Sequence, residues 1–119
     1  WIAEIVSRLA DKARVILFSR GTLGSFDQLV ETGAPFLSVD WTTDLGEVRT
    51  RIPDGMGLQG NLDPAVLTAS PEIAANETQR ILKTMRGFHR YIFNLGHGVT
   101  MDARLDSIEA VVNTVRNFQ

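Results

Sequence analysis

The sequence predicts an α/β protein in which short parallel strands alternate with helices. Its apolar residues cluster in four short runs, at residues 14–19, 36–39, 56–59 and 91–94. A segment with helical spacing of apolar residues follows each run, and another precedes the first. This alternation predicts a parallel sheet with helical crossovers. The first run is apolar at every position from Val15 to Phe18, which is typical of a strand buried on both faces.

The predicted helices carry apolar residues three and four positions apart. They lie within residues 2–12, 26–33, 44–52, 70–85 and 105–115. Gly33 and Pro53 end the second and third, because glycine favours a helix C-terminus and proline cannot continue a helix. Ser70 with Pro71 in the next position is a favoured helix start.

Composition excludes several classes of function. The 119 residues include 12 basic and 14 acidic side chains, so no excess positive charge favours nucleic acid. The chain has no cysteine, which excludes disulfides and thiolate metal ligands and is compatible with the cytoplasm. No apolar run approaches the roughly 18 residues of a membrane span, so we expect no membrane partner. The first residues, from Trp1 to Glu4, do not resemble a signal peptide, and because the chain starts with Trp rather than Met we expect it to be a piece of a longer polypeptide.

Polar residues and glycines follow every predicted strand. They form the groups Ser19-Arg20-Gly21, Asp40-Trp41-Thr42, Gln59-Gly60-Asn61 with Asp63, and Asn94 with His97. Function at the carboxyl ends of parallel strands is the rule in (β/α)₈ barrels, and open doubly wound sheets share it. A glycine-rich G-x-G-x-x-G turn is absent from the sequence, which disfavours a dinucleotide-binding sheet.

His97 is the first candidate for chemistry. It follows a strand and is flanked by Gly96 and Gly98, which leave room for a bulky ligand. Imidazole titrates near neutral pH, so it can bind a carboxylate as a cation or assist proton movement. The alternative is a turn histidine bonded to backbone. His89 precedes the same strand, so we expect it at the opposite end of the sheet, where it cannot share a metal ion with His97.

Three further polar residues are candidates for the wall of a cleft. Arg20 could hold an acidic substrate group, because its guanidinium binds carboxylates through two parallel bonds, or it could be a solvated loop residue. Asp40 and Asn61 could support neighbouring loops rather than act on substrate. Asp63, before Pro64, is expected to cap the helix that follows.

Four strings in this order resemble uroporphyrinogen decarboxylase. They are ILFSRG at 16–21, SVDWT at 38–42, LQGNLDP at 58–64 and YIFNLGHG at 91–98. The resemblance runs over essentially all 119 residues, which look like the C-terminal third of that family's chain. It implies that residues 1–119 are a partial domain: four consecutive β/α units forming the C-terminal half of a TIM (β/α)₈ barrel, with the N-terminal half absent.

The resemblance also implies an activity. The family removes CO₂ from the four acetate side chains of uroporphyrinogen III to give coproporphyrinogen III in haem synthesis. It uses no metal or organic cofactor and tends to form homodimers. The histidine of the family's N-L-G-H-G string contacts the tetrapyrrole, which makes His97 a substrate-binding residue. The family's central aspartate lies upstream of Trp1, so we expect no catalytic residue here and an inactive isolated segment.

One departure from the family follows the histidine. The family usually has a proline-rich turn there, whereas residues 99–106 contain no proline. We expect a looser turn, with Asp102 or Asp106 capping the last helix. Two other readings stay open: a decarboxylase-like methyltransferase of the same fold, and a non-catalytic half-barrel that associates with itself. The lack of cysteine disfavours the zinc-thiolate form of the former.

Overall fold

The computed structural model describes residues 1–21 and 23–119, and the side chain of Leu23 is left out of the description. Within these residues it contains five α-helices, four strands and two 3₁₀ helices. In chain order these are α1 (Ile2–Leu9), β1 (Ile16–Phe18), a 3₁₀ helix (Leu23–Ser25), α2 (Phe26–Glu31), β2 (Phe36–Ser38), α3 (Leu45–Arg51), β3 (Gly57–Leu62), a second 3₁₀ helix (Pro64–Thr68), α4 (Pro71–Thr84), β4 (Tyr91–Leu95) and α5 (Leu105–Asn117).

The strands form one parallel sheet in the order β1-β2-β3-β4. This confirms the predicted α/β class with a parallel sheet and helical crossovers. The register aligns Leu17 with Leu37 and Leu58, and Phe18 with Ser38 and Gln59. Because side chains alternate between faces along a strand, each aligned set lies on one face of the sheet.

One face of the sheet packs against the helices and carries the hydrophobic core. Leu37 and Leu58 are 1% and 0% exposed and belong to one cluster with side chains from all five helices. The helical members of that cluster include Val6, Phe26, Val48, Ile81 and Val111. The helices α4 and α5 also pack against each other.

The other face lacks cover among the described residues. Ile16 and Phe18 of β1 are 42% and 43% exposed, and Ile92 of β4 is 39% exposed. The prediction that β1 is buried on both faces is therefore wrong for the described residues. A continuous apolar run fits two packed layers, but here only one of the two faces meets a helix layer.

Two of the predicted helix starts follow the capping rules, and a third does not. The Ser70 hydroxyl accepts a hydrogen bond from the Ile73 N–H at 3.4 Å, which confirms the predicted start of α4. Asp44 accepts from the Glu47 N–H at 2.8 Å and begins α3. For α5 the capping prediction is wrong: the N-cap is Arg104, without a side-chain cap bond.

Asp106, one of the two predicted caps of α5, does not occupy the N-cap position. Asp106 lies inside the first turn of α5, where it pairs with the Arg104 guanidinium at 2.7 Å and accepts from the Ser107 N–H. The Arg104 hydrogen bond lowers the pKa of Asp106. Among residues 1–21 and 23–119, no helix has the length and apolar character needed to cross a lipid bilayer.

Candidate functional site

A groove of about 340 Å³ lies on the uncovered face of the sheet, toward the carboxyl ends of the strands. It is lined by Phe18, Ser38, Gln59, Asn94, Leu95, His97 and Gly98. Its floor is ordered by a hydrogen bond in which the Gln59 amide donates to the Ser38 hydroxyl at 3.1 Å. The groove combines aromatic, amide and imidazole groups, a mixture that suits a ligand with both apolar and polar parts.

His97 stands at the edge of this groove, in the loop after β4. Its exposed imidazole lies between two aromatic side chains, with ring centroids 6.2 Å from Phe18 and 5.6 Å from Trp41. Both pairs are edge-to-face, with interplanar angles of 70° and 88°. Such geometry is favourable for aromatic pairs. We call this arrangement of Phe18, His97 and Trp41 the aromatic slot.

Gly96 brings the His97 loop close to the end of β2. The Gly96 N–H donates to the Leu62 carbonyl at 2.8 Å. A Cβ atom on Gly96 would lie 2.3 Å from the Trp41 backbone nitrogen, a distance that real Cβ atoms do not reach. Only glycine allows the two loops to approach so closely. By contrast, a Cβ on Gly98 would meet no heavy atom within 4 Å.

Arg20 follows β1 and points toward the same group of side chains. Its exposed guanidinium carbon lies 5.0 Å from the centroid of the Trp41 ring. A guanidinium over an indole face is a favourable cation–π contact. The structure thus brings Arg20 and His97 against one shared indole. His89 lies in the turn before β4, at the other end of the strand from His97.

Asp40 is buried between the loops that follow β1 and β2, with only 1% of its surface exposed. Its carboxylate accepts from the Gly21 N–H at 2.5 Å, and from the Thr42 N–H at 2.8 Å and hydroxyl at 2.5 Å. The Thr43 hydroxyl adds a longer contact at 3.5 Å. Burial alone would raise the pKa of Asp40, but the hydrogen bonds from Thr42, Gly21 and Thr43 outweigh it and lower the pKa.

Asn61 is also buried, and it lies within β3 rather than beyond it. The strand continues to Leu62, past the predicted end at residue 59. The Asn61 amide donates to the carbonyls of Asp40 at 2.8 Å and Thr43 at 2.6 Å. Asp40 and Asn61 therefore bond to the loops around Trp41, and their place in a cleft wall stays a prediction.

Two other polar side chains support the end of β3. The Asp63 carboxylate accepts from the Ala65 N–H at 2.9 Å, which confirms its capping role at the second 3₁₀ helix. The Tyr91 hydroxyl donates to the Gly60 carbonyl, and burial raises the pKa of Tyr91. Among the described residues, no group of three or more His, Cys, Asp or Glu side chains could hold a metal ion.

Phe18 and Trp41 were not recognised as site residues in the sequence. Phe18 belongs to an apolar run, which predicts a core position, and Trp41 stands out only as a member of the group that follows the second predicted strand. The period of two along β1 was the available signal, because it places Phe18 on the same face as Ile16 and opposite to Leu17. Nothing in the local sequence indicates that Trp41 meets a histidine 56 positions away.

Comparison with known proteins identifies the family. The family model described as uroporphyrinogen decarboxylase (URO-D) matches residues 1–118. A uroporphyrinogen decarboxylase of Methylococcus capsulatus is 39% identical over 113 residues, covering 93% of this chain and 32% of the relative. One from Coxiella burnetii is 35% identical over 117 residues, covering 98% of this chain and 32% of the relative.

A shorter match shows higher identity. The uroporphyrinogen decarboxylase of Saccharophagus degradans is 44% identical over 89 residues, which is 75% of this chain and 25% of the relative. The chain thus spans less than a third of the length of these curated relatives. Its own residues match the family model almost from end to end. The chain belongs to the uroporphyrinogen decarboxylase family.

Proposed function

We propose that these residues are part of an enzyme that decarboxylates the four acetate side chains of uroporphyrinogen III, giving coproporphyrinogen III in haem synthesis. The observation that carries the proposal is the position of His97, at the edge of a groove at the carboxyl ends of a parallel sheet. Membership of the family gives the substrate class. The curated relatives named above are uroporphyrinogen decarboxylases by name.

We propose a partial barrel as the architecture. Four consecutive β/α units, over residues 1–119, form the C-terminal half of a TIM (β/α)₈ barrel, and the other half belongs to the rest of a longer polypeptide. The uncovered face supports this, because Ile16, Phe18 and Ile92 expose apolar surface that a closed barrel would bury. Both β1 and β4 are edge strands of the described sheet, and barrel closure would pair each of them with a strand of the other half.

In this proposal the described residues bind and orient the substrate. Uroporphyrinogen carries carboxylates around its rim, and Arg20 and His97 are cationic or protonatable groups that face the same region. Arg20 offers a bidentate fork to one carboxylate, and His97 binds another as a cation or passes a proton. Phe18 of the aromatic slot lines the groove and offers apolar surface to the tetrapyrrole.

The reaction itself needs a proton and a stabilised cation. Protonation of a pyrrole carbon makes the ring an electron sink, so the C–C bond to the acetate carboxyl breaks and CO₂ leaves. The electron pair enters the ring system, and the former methylene then takes a proton to become a methyl group. The ring carbon finally loses the proton that it had gained, which restores the pyrrole. A carboxylate facing the pyrrole N–H groups would stabilise the cation by preorganised electrostatics. We assign that carboxylate to the part of the polypeptide outside residues 1–119.

Three further expectations belong to the same proposal. The enzyme needs no metal or organic cofactor, it forms a homodimer, and it acts in the cytoplasm. The first two follow from the family resemblance, and the third rests on the absence of cysteine, which is compatible with the cytoplasm. A homodimer would be detected by analytical ultracentrifugation, and added chelator should leave turnover unchanged.

The test uses the parent polypeptide, by which we mean the product of the whole reading frame that contains these residues. It is incubated with uroporphyrinogen under anaerobic conditions, and products are separated by chromatography. A chimaera provides a second route, with residues 1–119 in place of the matching segment of the Methylococcus capsulatus relative. Formation of coproporphyrinogen by either protein supports the proposal. A folded parent polypeptide and a folded chimaera that both leave uroporphyrinogen unchanged would overturn it.

A second candidate is a non-catalytic half-barrel that pairs with itself. The uncovered apolar face favours it, because two copies could bury Ile16, Phe18 and Ile92 against each other. Sedimentation of the 119-residue chain distinguishes the two proposals. A discrete, folded dimer without decarboxylase activity favours the second candidate, whereas a chain that folds only with the rest of the parent polypeptide favours the enzyme.

A further inference from the structure

Trp41 occupies a central place among the candidate substrate contacts. The centroid of its ring lies 5.0 Å from the Arg20 guanidinium carbon and 5.6 Å from the centroid of the His97 ring. The His97 pair is nearly perpendicular, at 88°. One side chain therefore contacts both groups to which the proposed function assigns substrate carboxylates. Trp41 itself is half-buried and does not line the groove.

The backbone of Trp41 is held from three directions. The preceding Asp40 carboxylate ties it to the end of β1 through the Gly21 N–H at 2.5 Å. The Asn61 amide on β3 donates to the Asp40 carbonyl at 2.8 Å. On the β4 side, Gly96 approaches so closely that a Cβ atom would lie 2.3 Å from the Trp41 nitrogen.

The polar side chains that hold the Trp41 backbone are buried and hydrogen-bonded. The Asp40 and Asn61 side chains are 1% and 7% exposed, and no buried side-chain nitrogen or oxygen of the described residues lacks a partner. A fully bonded, buried polar network fixes the loop that it holds. The position of the Trp41 backbone, which carries the indole, is therefore fixed by contacts from the ends of β1, β3 and β4.

The imidazole of His97 has few other restraints. It is exposed and follows Gly96, and the ring contacts of the described residues are the indole of Trp41 on one side and Phe18 on the other. Removal of the indole would leave one side of the aromatic slot open. The imidazole could then rotate away from the groove.

We propose that Trp41 is a positioning residue that sets the orientation of the His97 imidazole toward substrate. The proposal rests on the proposed function, because it needs a reaction in which His97 takes part. Trp41 acts through His97 rather than by touching the reacting atoms. Misplacement of a substrate-contacting group by about 1 Å can cost on the order of 100-fold in rate.

The experiment is a double-mutant cycle in the parent polypeptide, measured as kcat/KM for uroporphyrinogen. The variants are Trp41→Leu, His97→Ala and the pair. We expect Trp41→Leu to lower kcat/KM by roughly 10- to 100-fold in the presence of His97, within the cost of a misplaced group. In the His97→Ala background the same change should cost clearly less, because the group that Trp41 orients is gone and only the contact of Trp41 with Arg20 is lost.

Two readouts separate positioning from a merely structural role. The loss in Trp41→Leu should fall on the same parameter, kcat or KM, as the loss in His97→Ala. Trp41→Phe retains an aromatic ring and should recover most of the activity. Equal losses with and without His97, or a Trp41→Phe variant as poor as Trp41→Leu, would overturn the proposal.

Folding is checked by thermal unfolding of each variant. If Trp41→Leu does not fold, Trp41→Met takes its place in the cycle, since methionine fills space without a ring. Failure of both to fold would show that the indole serves the fold itself, which also overturns the proposal. A folded wild-type parent polypeptide and a folded chimaera that are both inactive would instead refute the proposed function. Activity with an additive cycle refutes the role of Trp41 alone.

Discussion

Replacement of Gly96 by alanine tests the close approach of two loops at the site. The new Cβ atom would lie 2.3 Å from the Trp41 nitrogen, 2.8 Å from its Cα and 2.9 Å from the Asp40 carbonyl carbon. All three are backbone atoms, so no flexible side chain can yield. We therefore expect the His97 loop to move outward, away from the end of β2.

The cost of Gly96→Ala can be worked from two contributions. Overpacking of this kind costs about 1–3 kcal/mol in the free energy of unfolding. Outward movement also weakens the hydrogen bond from the Gly96 N–H to the Leu62 carbonyl, whose net worth is about 0.5–1.5 kcal/mol. Together they give a loss of about 1.5–4.5 kcal/mol. A loop displaced by about 1 Å at His97 should lower kcat/KM by roughly 100-fold.

Gly98→Ala is the matched control, on the other side of His97. A Cβ atom there would meet nothing within 4 Å, so the free energy of unfolding should change by less than about 0.5 kcal/mol. Both variants are made in the parent polypeptide and compared by denaturant titration and by turnover of uroporphyrinogen. A Gly96→Ala variant as stable as Gly98→Ala would refute the reasoning, whereas turnover alone would not, because Gly98 lines the groove.

Two further predictions concern Asp40 and Arg20. Asp40→Asn turns an N–H₂ group toward the donors of Gly21 or Thr42 and should cost about 1–3 kcal/mol in denaturant titrations at pH 7; unchanged stability would contradict the network. Because the pKa of Asp40 is lowered on folding, the contribution of Asp40 to the free energy of unfolding is complete above the unfolded pKa of about 3.9 and is lost as the pH falls through the folded pKa. The difference in the free energy of unfolding between wild type and Asp40→Asn should therefore narrow in that acid range, and a constant difference would contradict the reasoning. Arg20→Ala should raise KM for uroporphyrinogen by roughly 10- to 100-fold through loss of a charge-assisted hydrogen bond to a substrate carboxylate. The control is Arg90→Ala, which removes a comparable cation–π contact, 5.0 Å from the Phe36 ring, and should change KM by less than about threefold. Equal effects of the two substitutions would remove Arg20 from the site.

Local sequence signals predicted most of the fold. The order of helices and strands, the parallel sheet, and the starts of α3 and α4 follow from apolar spacing, capping residues and prolines. Helix ends were less predictable: α1 ends at Leu9 although apolar spacing extended it to residue 12. The end of β3 was also missed, since Gly60 and Asn61 are typical of turns.

Contacts between distant residues could not be predicted. An apolar run does not say how many of its faces a helix layer covers, so the exposure of Ile16 and Phe18 needed the structure. The bond from Asn61 to the Asp40 carbonyl joins residues 21 positions apart, and the aromatic slot joins three different strand ends. The sequence predicts that Arg20 and His97 lie at the carboxyl ends of their strands, but it does not indicate that both contact Trp41.

The most direct test of the central claim compares the parent polypeptide with its His97→Ala variant in the anaerobic assay, with kcat/KM for uroporphyrinogen as the measured quantity. We expect coproporphyrinogen from the parent and a loss of about 10- to 150-fold in the variant if His97 binds a carboxylate. A loss of about 100- to 10,000-fold is expected if it also moves a proton. The melting temperature should not change, because the imidazole is exposed. A folded variant that turns over uroporphyrinogen at the parent's rate would contradict the claim that His97 contacts substrate.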